Sequence, residues 1–237
     1  MTLATLTALT EGLPAEVSAR VAEEPELFLT MAEAVLDAPE EATILVDKEH
    51  PLGANYVPEA LVPLDGSGLP VDREEMQVTA RVLAPLEEMV RAASEDGVRL
   101  NIISAYRSYD YQERLFAYWV EELGREEAER VSARAGTSQH QLGTTIDFGY
   151  LDRSFAEDPR GTWLAENAGR FGFSLSYPEG YEEVTGYSFE PWHYRWITPE
   201  AVSFQNAFFG GIQQYMLEFL HANGEALRAH RELGGES

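Results

Sequence analysis

Residues 138–147 read SQHQLGTTID and leave few local folds open. His140 and Asp147 are separated by Gly143 and the β-branched run Thr144, Thr145, Ile146. One helix face could hold both only if the helix ran through that glycine and three poor helix formers. The predicted arrangement is therefore a loop carrying His140 that feeds a strand carrying Asp147. A second stretch, FEPWHYRWI, carries Glu190 and His193. Its aromatic content reads as a strand, interrupted by Pro191. Two imidazoles and a carboxylate make a three-residue ligand set suited to zinc, with a fourth position for water. A lone His-x6-Asp pair also arises by chance, so spacing alone does not establish a metal site. The other histidines, His50, His221 and His230, are expected on surfaces or loops.

The chain has 237 residues, enough for one substantial core or a core with a small appendage. A hydrophobic content of 44% argues against disorder. Lysine and arginine number 17 against 41 acidic residues, a formal net charge of −24. Such a surface repels nucleic acid and anionic lipid, so neither is expected as a partner. The chain has no cysteine, which excludes disulfides, thiolate ligands and a cysteine nucleophile. No run approaches the roughly 20 apolar residues of a membrane span. The N-terminal MTLATLTALTEG has neither the charged nor the apolar region of a signal peptide.

The predicted class is α+β, a single domain with a small, mostly antiparallel sheet packed with helices. A helical leader at 1–42 is expected to pack on a main domain at 43–198, with a helical extension at 199–237. Residues 14–37 read as one or two acidic helices, and 43–47 as a short buried strand. The Pro- and Gly-rich segment 48–70 is a long loop, either on the rim of a cleft or covering a sheet edge. A helix is predicted over 73–95, kinked or started by Pro85. VRLNIISAY follows as a strand, then a helix from Tyr109 or Asp110 to Gly124 and a short helix over 125–133. Strands are predicted at 144–150, after Gly172 and at 189–197, with a helix over 161–171. In the tail, Ile212, Tyr215, Met216, Phe219 and Leu220 form an apolar stripe that reads as core.

Arg107 ends the strand before the second of these helices. A guanidinium there can bind a carbonyl oxygen or carboxylate, or pair with one of the many acids of the chain. Tyr106, Gln112 and Ser138 are candidate substrate donors. Ser138 has no second base placed to make it a nucleophile. Trp192 either walls a cleft or fills core. In an extended chain, Glu190 and His193 would point to opposite sides unless Pro191 bends it, so spacing does not bring both to one site.

Three separated motifs give the chain a likeness to a known family. Ser138, His140, Gly143 and Asp147 match S-x-H-x-x-G-x-x-x-D, and Glu190, Trp192 and His193 follow. Tyr106, Arg107, Ser108 and Gln112 match Y-R-S-x-x-x-Q. VDKEHPLGANYVP at 46–58 and YPEGYEEVTGYSFEPWHYRW at 177–196 add to it. Over residues 44–197 the sequence resembles the VanY-type D-alanyl-D-alanine carboxypeptidases, zinc peptidases of peptidoglycan. Thr145 departs from the smaller or apolar residue that many members carry, but it is not at a ligand position.

The resemblance implies the fold shared with the Hedgehog signalling domain and a zinc ion on His140, Asp147 and His193. It implies Glu190 as the base for the attacking water and Arg107 as the oxyanion stabiliser. The implied reaction is hydrolysis of the terminal D-Ala-D-Ala bond of peptidoglycan stem peptides. The runner-up is an L,D-carboxypeptidase acting on tetrapeptide stems, and a non-catalytic wall-binding module is a further alternative. The implied location is outside the cytoplasmic membrane, with any export segment outside this chain; a cytoplasmic dipeptidase is the competing reading. Oligomeric state is left open.

Overall fold

A computed structural model describes Met1 and residues 3–234. The chain divides into two compact units, one formed by Met1–Leu45 with Ile197–Ser237 and the other by Val46–Trp196.

The first unit is helical and draws on both ends of the chain. Its N-terminal helices are α1 (Leu3–Leu9), α2 (Ala15–Glu23), α3 (Pro25–Val35) and the short α4 (Glu40–Thr43). Pro25 sits in the first turn of α3, where its missing N–H costs nothing. At the other end of the chain, Pro199–Phe208 and Gln213–Gly234 are helical. The two ends share one core, and Phe28 lies at its centre, fully buried. Its ring centroid lies 5.2 Å from Phe204, 5.0 Å from Phe208 and 5.2 Å from Phe219. Ile212, Met216, Phe219 and Leu220 are buried, so the predicted tail stripe is core. Residues 43–47 form no strand. Leu45 and Val46 are buried as their apolar character requires, but no ladder partner lies beside them.

The second unit carries two antiparallel sheets. β1 (Leu61–Pro63) pairs with β2 (Gln77–Thr79), and α5 (Ala80–Glu95) follows directly. The helix predicted from residue 73 therefore starts later, because Val78 and Thr79 are β-branched and pair with β1 instead. Pro85 lies inside α5, which buries Val82, Leu86, Met89 and Ala93 on one face. Next come β3 (Ile102–Ser104), α6 (Tyr109–Leu123) and α7 (Arg125–Val131). Ser108 caps α6 by accepting from the Tyr111 N–H, and Gly124 ends it. β4 (Thr145–Phe148), α8 (Pro159–Asn167), β5 (Phe173–Leu175), the short α9 (Glu182–Thr185) and β6 (His193–Trp196) complete the unit. The main sheet runs β3-β4-β6-β5, and every ladder between these strands is antiparallel.

The segment 48–70 is irregular apart from β1, and among the described residues none of it lines the cleft described below. It lies instead behind the loop that carries His140. Leu52 N–H donates to the Gly136 carbonyl at 2.8 Å, and Gln141 Nε2 donates to the carbonyls of Gly53 and Tyr56 at 3.2 and 3.1 Å. Gly136 has φ +87°, and a Cβ there would stand 2.7 Å from the Leu52 carbonyl oxygen. Only glycine permits so close an approach.

Candidate metal centre

Two of the three predicted ligands are set by strand register. Asp147 on β4 pairs directly with His193 on β6. Cross-strand partners share a face, so both side chains project to the same side. His140 arrives by a different device. Residues Gln139–Leu142 form a 3-10 turn, capped by the Ser138 hydroxyl, which accepts from the His140 N–H at 3.3 Å. Gly143 ends the turn at φ +69°, and a Cβ there would meet Thr79, Leu61 and Pro58 at 3.0–3.2 Å. The left-handed glycine turns the chain into β4 within one residue. His140, Asp147 and His193 come together so that their ligand atoms lie within 4.8 Å of one another. All three are buried.

The nitrogens facing the centre differ. His140 presents Nε2, 3.2 Å from Asp147 Oδ2, while its Nδ1–H donates to the Ala105 carbonyl at 2.7 Å. His193 presents Nδ1, 3.2 Å from Asp147 Oδ1 and 3.3 Å from Glu190 Oε2. Its Nε2 faces Gln139 Oε1 at 3.3 Å.

Pro191 supplies the bend that extended geometry lacks. The His193 N–H donates to the Glu190 carbonyl at 3.1 Å, closing a turn over Pro191 and Trp192. β6 therefore begins at His193 rather than at 189, and Glu190 stands on the same side as His193.

Burial alone would raise the Asp147 pKa, but the two imidazoles hold the carboxylate well below its ordinary range. Burial, helped by the Arg107 charge, pulls His140 down to about 4. Burial opposes protonation of His193 as well, but the Asp147 and Glu190 carboxylates, 3.2 and 3.3 Å from its Nδ1, leave it above its ordinary value. Burial raises Glu190.

A cleft of about 470 Å³ opens over this cluster. Arg107, Gln112, Ser138, Glu190 and Trp192 all line it. The Arg107 guanidinium is 3.4 Å from Asp147 Oδ2 and donates to Gln112 Oε1 at 3.0 Å. Gln112 in turn donates to the Ala133 carbonyl at 2.7 Å, so its amide is engaged in holding Arg107. Trp192 is a cleft wall rather than core. Tyr106 is not among the lining residues; its N–H pairs with the Gln77 carbonyl at 2.9 Å. It precedes Arg107 in an extended segment, where neighbouring side chains take opposite faces.

Several lining residues are not among the predicted site residues, although Leu115 and Trp119 are predicted on the inward side of their helix. Tyr111, Leu115 and Trp119 line the cleft from one face of α6, at helical spacing. Tyr177 and Tyr187 also line it, and the Tyr177 ring centroid lies 4.6 Å from that of His193. Both tyrosines fall in the aromatic stretch at 177–196, which was the available signal.

The donor set fits a divalent transition ion. Two neutral imidazole nitrogens and a carboxylate are zinc-type ligands. The buried His140 Nε2 and Asp147 Oδ1 have no hydrogen-bond partner among the described residues, as atoms reserved for a cation would. A small antiparallel sheet carrying a His-Asp-His cluster beside a buried glutamate defines the class: a candidate metal-dependent hydrolase.

The comparisons give the family. The model for VanY, D-alanyl-D-alanine carboxypeptidase, matches residues 75–199, and the chain belongs to that family. The D-alanyl-D-alanine carboxypeptidase of Enterococcus faecalis is 33% identical over 193 residues, covering 77% of this chain and 69% of the relative. The bifunctional D-Ala-D-Ala dipeptidase and carboxypeptidase VanXYC of Enterococcus gallinarum is 32% identical over 162 residues, covering 65% of this chain and 82% of the relative. YodJ of Bacillus subtilis is 34% identical over 170 residues, covering 69% of this chain and 62% of YodJ's length. Among solved structures, the zinc complex of a variant of the vancomycin-resistance D,D-pentapeptidase VanY matches with a TM-score of 0.63 at 31% identity. That match covers 76% of this chain and 99% of the other. The LD-carboxypeptidase LdcB matches with a TM-score of 0.65 at 29% identity, covering 75% of this chain and 85% of the other. The fold is that of the Hedgehog-like peptidases.

Proposed function

We propose that the protein is a zinc-dependent D,D-carboxypeptidase that hydrolyses the terminal D-Ala-D-Ala bond of peptidoglycan stem peptides. The observation that carries this reading is the His140, Asp147 and His193 cluster with Glu190 Oε2 only 3.3 Å from a ligand nitrogen. Three protein ligands is the count found in catalytic rather than closed structural zinc sites. When bound, zinc supplies a Lewis acid for the scissile carbonyl and acidifies the water that attacks it.

The chain's own residues do the rest. Glu190 accepts a proton from the attacking water as its oxygen bonds to the carbonyl carbon. It returns that proton to the departing amine as the C–N bond breaks. A pKa raised by burial suits a group that must take and then give a proton near neutrality. Arg107, steadied by Gln112, faces the charge that develops on the carbonyl oxygen. Ser138 stands as a donor to the substrate carboxylate or backbone, while Gln112 acts through Arg107. Tyr111, Leu115 and Trp119 offer an apolar wall to the peptide before the scissile bond. One similar solved structure, VanYB in complex with D-alanine-D-alanine, supports the substrate class.

The match to the LD-carboxypeptidase LdcB supports a second reading, release of D-Ala from tetrapeptide stems. The two reactions differ in the stereocentre before the scissile bond. Purified zinc-loaded protein assayed on pentapeptide and tetrapeptide stems separates them: D-Ala release from the pentapeptide alone supports the first, and release from the tetrapeptide alone the second. No release from either, with binding retained, supports a non-catalytic wall-binding module. We place its action outside the cytoplasmic membrane. No described helix is long and apolar enough to cross a membrane.

A further inference from the structure

The two histidines of the cluster use opposite nitrogens, and this places a demand on residues behind them. A neutral imidazole carries one proton, so the ligating nitrogen is free only if the other nitrogen holds the hydrogen. For His140 the ligating atom is Nε2, and the Nδ1–H is accepted by the main-chain carbonyl of Ala105 at 2.7 Å. A backbone acceptor is present whatever the side chain at 105. For His193 the ligating atom is Nδ1, and the remote Nε2 meets a side chain, Gln139 Oε1, at 3.3 Å. That oxygen also accepts from the Ser176 hydroxyl at 2.7 Å. Gln139, Ser176 and His193 are all buried, with exposures of 2%, 2% and 4%. Water has little access to replace the missing acceptor if Gln139 is lost.

We infer that Gln139 is a positioning residue for the metal centre: its amide oxygen, held by Ser176, keeps the proton of His193 on Nε2 and so leaves Nδ1 free as the ligand. The inference rests on the metal reading of the cluster. It also gives the turn over Gln139–Leu142 two tasks in adjacent residues, His140 as a ligand and Gln139 as the orienter of the other imidazole. The hydroxyl of Ser176 comes from just beyond β5, the strand that pairs with β6. The Ser176 N–H also donates to the His193 carbonyl at 3.2 Å, which fixes the two residues relative to each other.

The test compares Gln139→Leu, Gln139→Glu and the parent protein. Zinc affinity is measured by competition with a chromophoric chelator, and the His193 Nε2–H by nitrogen-15 NMR of histidine-labelled, zinc-bound protein. Gln139→Leu removes the acceptor and is expected to weaken zinc binding by about 10–100-fold, with the His193 Nε2–H shifted from its hydrogen-bonded position. Gln139→Glu keeps an acceptor at the same reach and is expected to retain or exceed the parent affinity. Circular dichroism shows which variants are folded. If Gln139→Leu misfolds, Ser176→Ala is read instead, with a weaker loss of affinity in the same direction expected. Parent-like affinity in a folded Gln139→Leu protein, or equal losses in the Leu and Glu variants, would overturn the inference while leaving the metal reading intact. A parent protein that binds no zinc would overturn the metal reading and this inference with it.

Discussion

Asp147 and His193 are direct cross-strand partners, and Oδ1 of the first lies 3.2 Å from Nδ1 of the second. The pairing of β4 with β6 is therefore also the geometry of the site. A slip of one residue would turn Asp147 to the opposite face of the sheet. Chelation is expected to abolish D-Ala release, and added zinc to restore it. Asp147→Ala is expected to weaken zinc binding by more than the roughly 10–100-fold cost of losing an outer partner, as read by chelator competition.

Glu190 is positioned by the Pro191 turn and is not one of the three clustered ligands. Glu190→Ala is expected to bind zinc like the parent while kcat falls by about 10²–10⁴-fold. Full turnover in that variant would remove Glu190 from the proton-transfer role.

In the proposed site zinc would compete with protons for the imidazole nitrogens, and the two histidines would enter that competition at different pH. Burial lowers His193, but the neighbouring Asp147 and Glu190 carboxylates carry it above 6.5, whereas His140 is pulled down to about 4. As pH falls from neutral towards 4, only His193 of the three clustered residues gains a proton, so affinity is expected to drop about tenfold per pH unit. Asp147 remains ionised throughout, because its pKa lies well below 3.8. A slope of two protons near pH 6, in a titration of zinc affinity against pH, would contradict this assignment.

Arg107 makes a forked contact, one nitrogen to Gln112 and one towards Asp147, at 3.0 and 3.4 Å. Arg107→Ala is expected to lower kcat by about 10²–10³-fold. Arg107→Lys is expected to recover little, since an ammonium cannot reproduce the planar fork. Steady-state kinetics on the preferred stem peptide provide the measurement.

Phe28 is fully buried among Phe204, Phe208, Phe209 and Phe219. Phe28→Ala leaves a cavity among aromatic rings and is expected to cost about 3–5 kcal/mol in urea unfolding of the whole chain.

Local sequence marked the two stretches, and the resemblance to the VanY-type carboxypeptidases joined them into one expected cluster. Gly143 and the β-branched run after it exclude a helix, so a turn carrying His140 and a strand carrying Asp147 were legible, as was the helix from Tyr109 to Gly124. These are local properties of chain stiffness and allowed dihedrals. The β1–β2 pairing that displaced the start of α5 was not legible, because Val78 and Thr79 choose between helix and strand according to their distant partners Val62 and Leu61. Nor was the absence of a strand at 43–47, where apolar residues are buried without pairing. The common core shared by the two chain ends was likewise hidden, since amphipathic helices announce an apolar face but not which face it meets. In the site, residue types and order marked His140, Asp147, Glu190 and His193. Only the assembled sheet decided which nitrogen each imidazole offers, that Gln112 steadies Arg107, and that Gln139 stands behind His193. Such contacts depend on side-chain direction across strands far apart in the chain, and no one-dimensional pattern encodes direction.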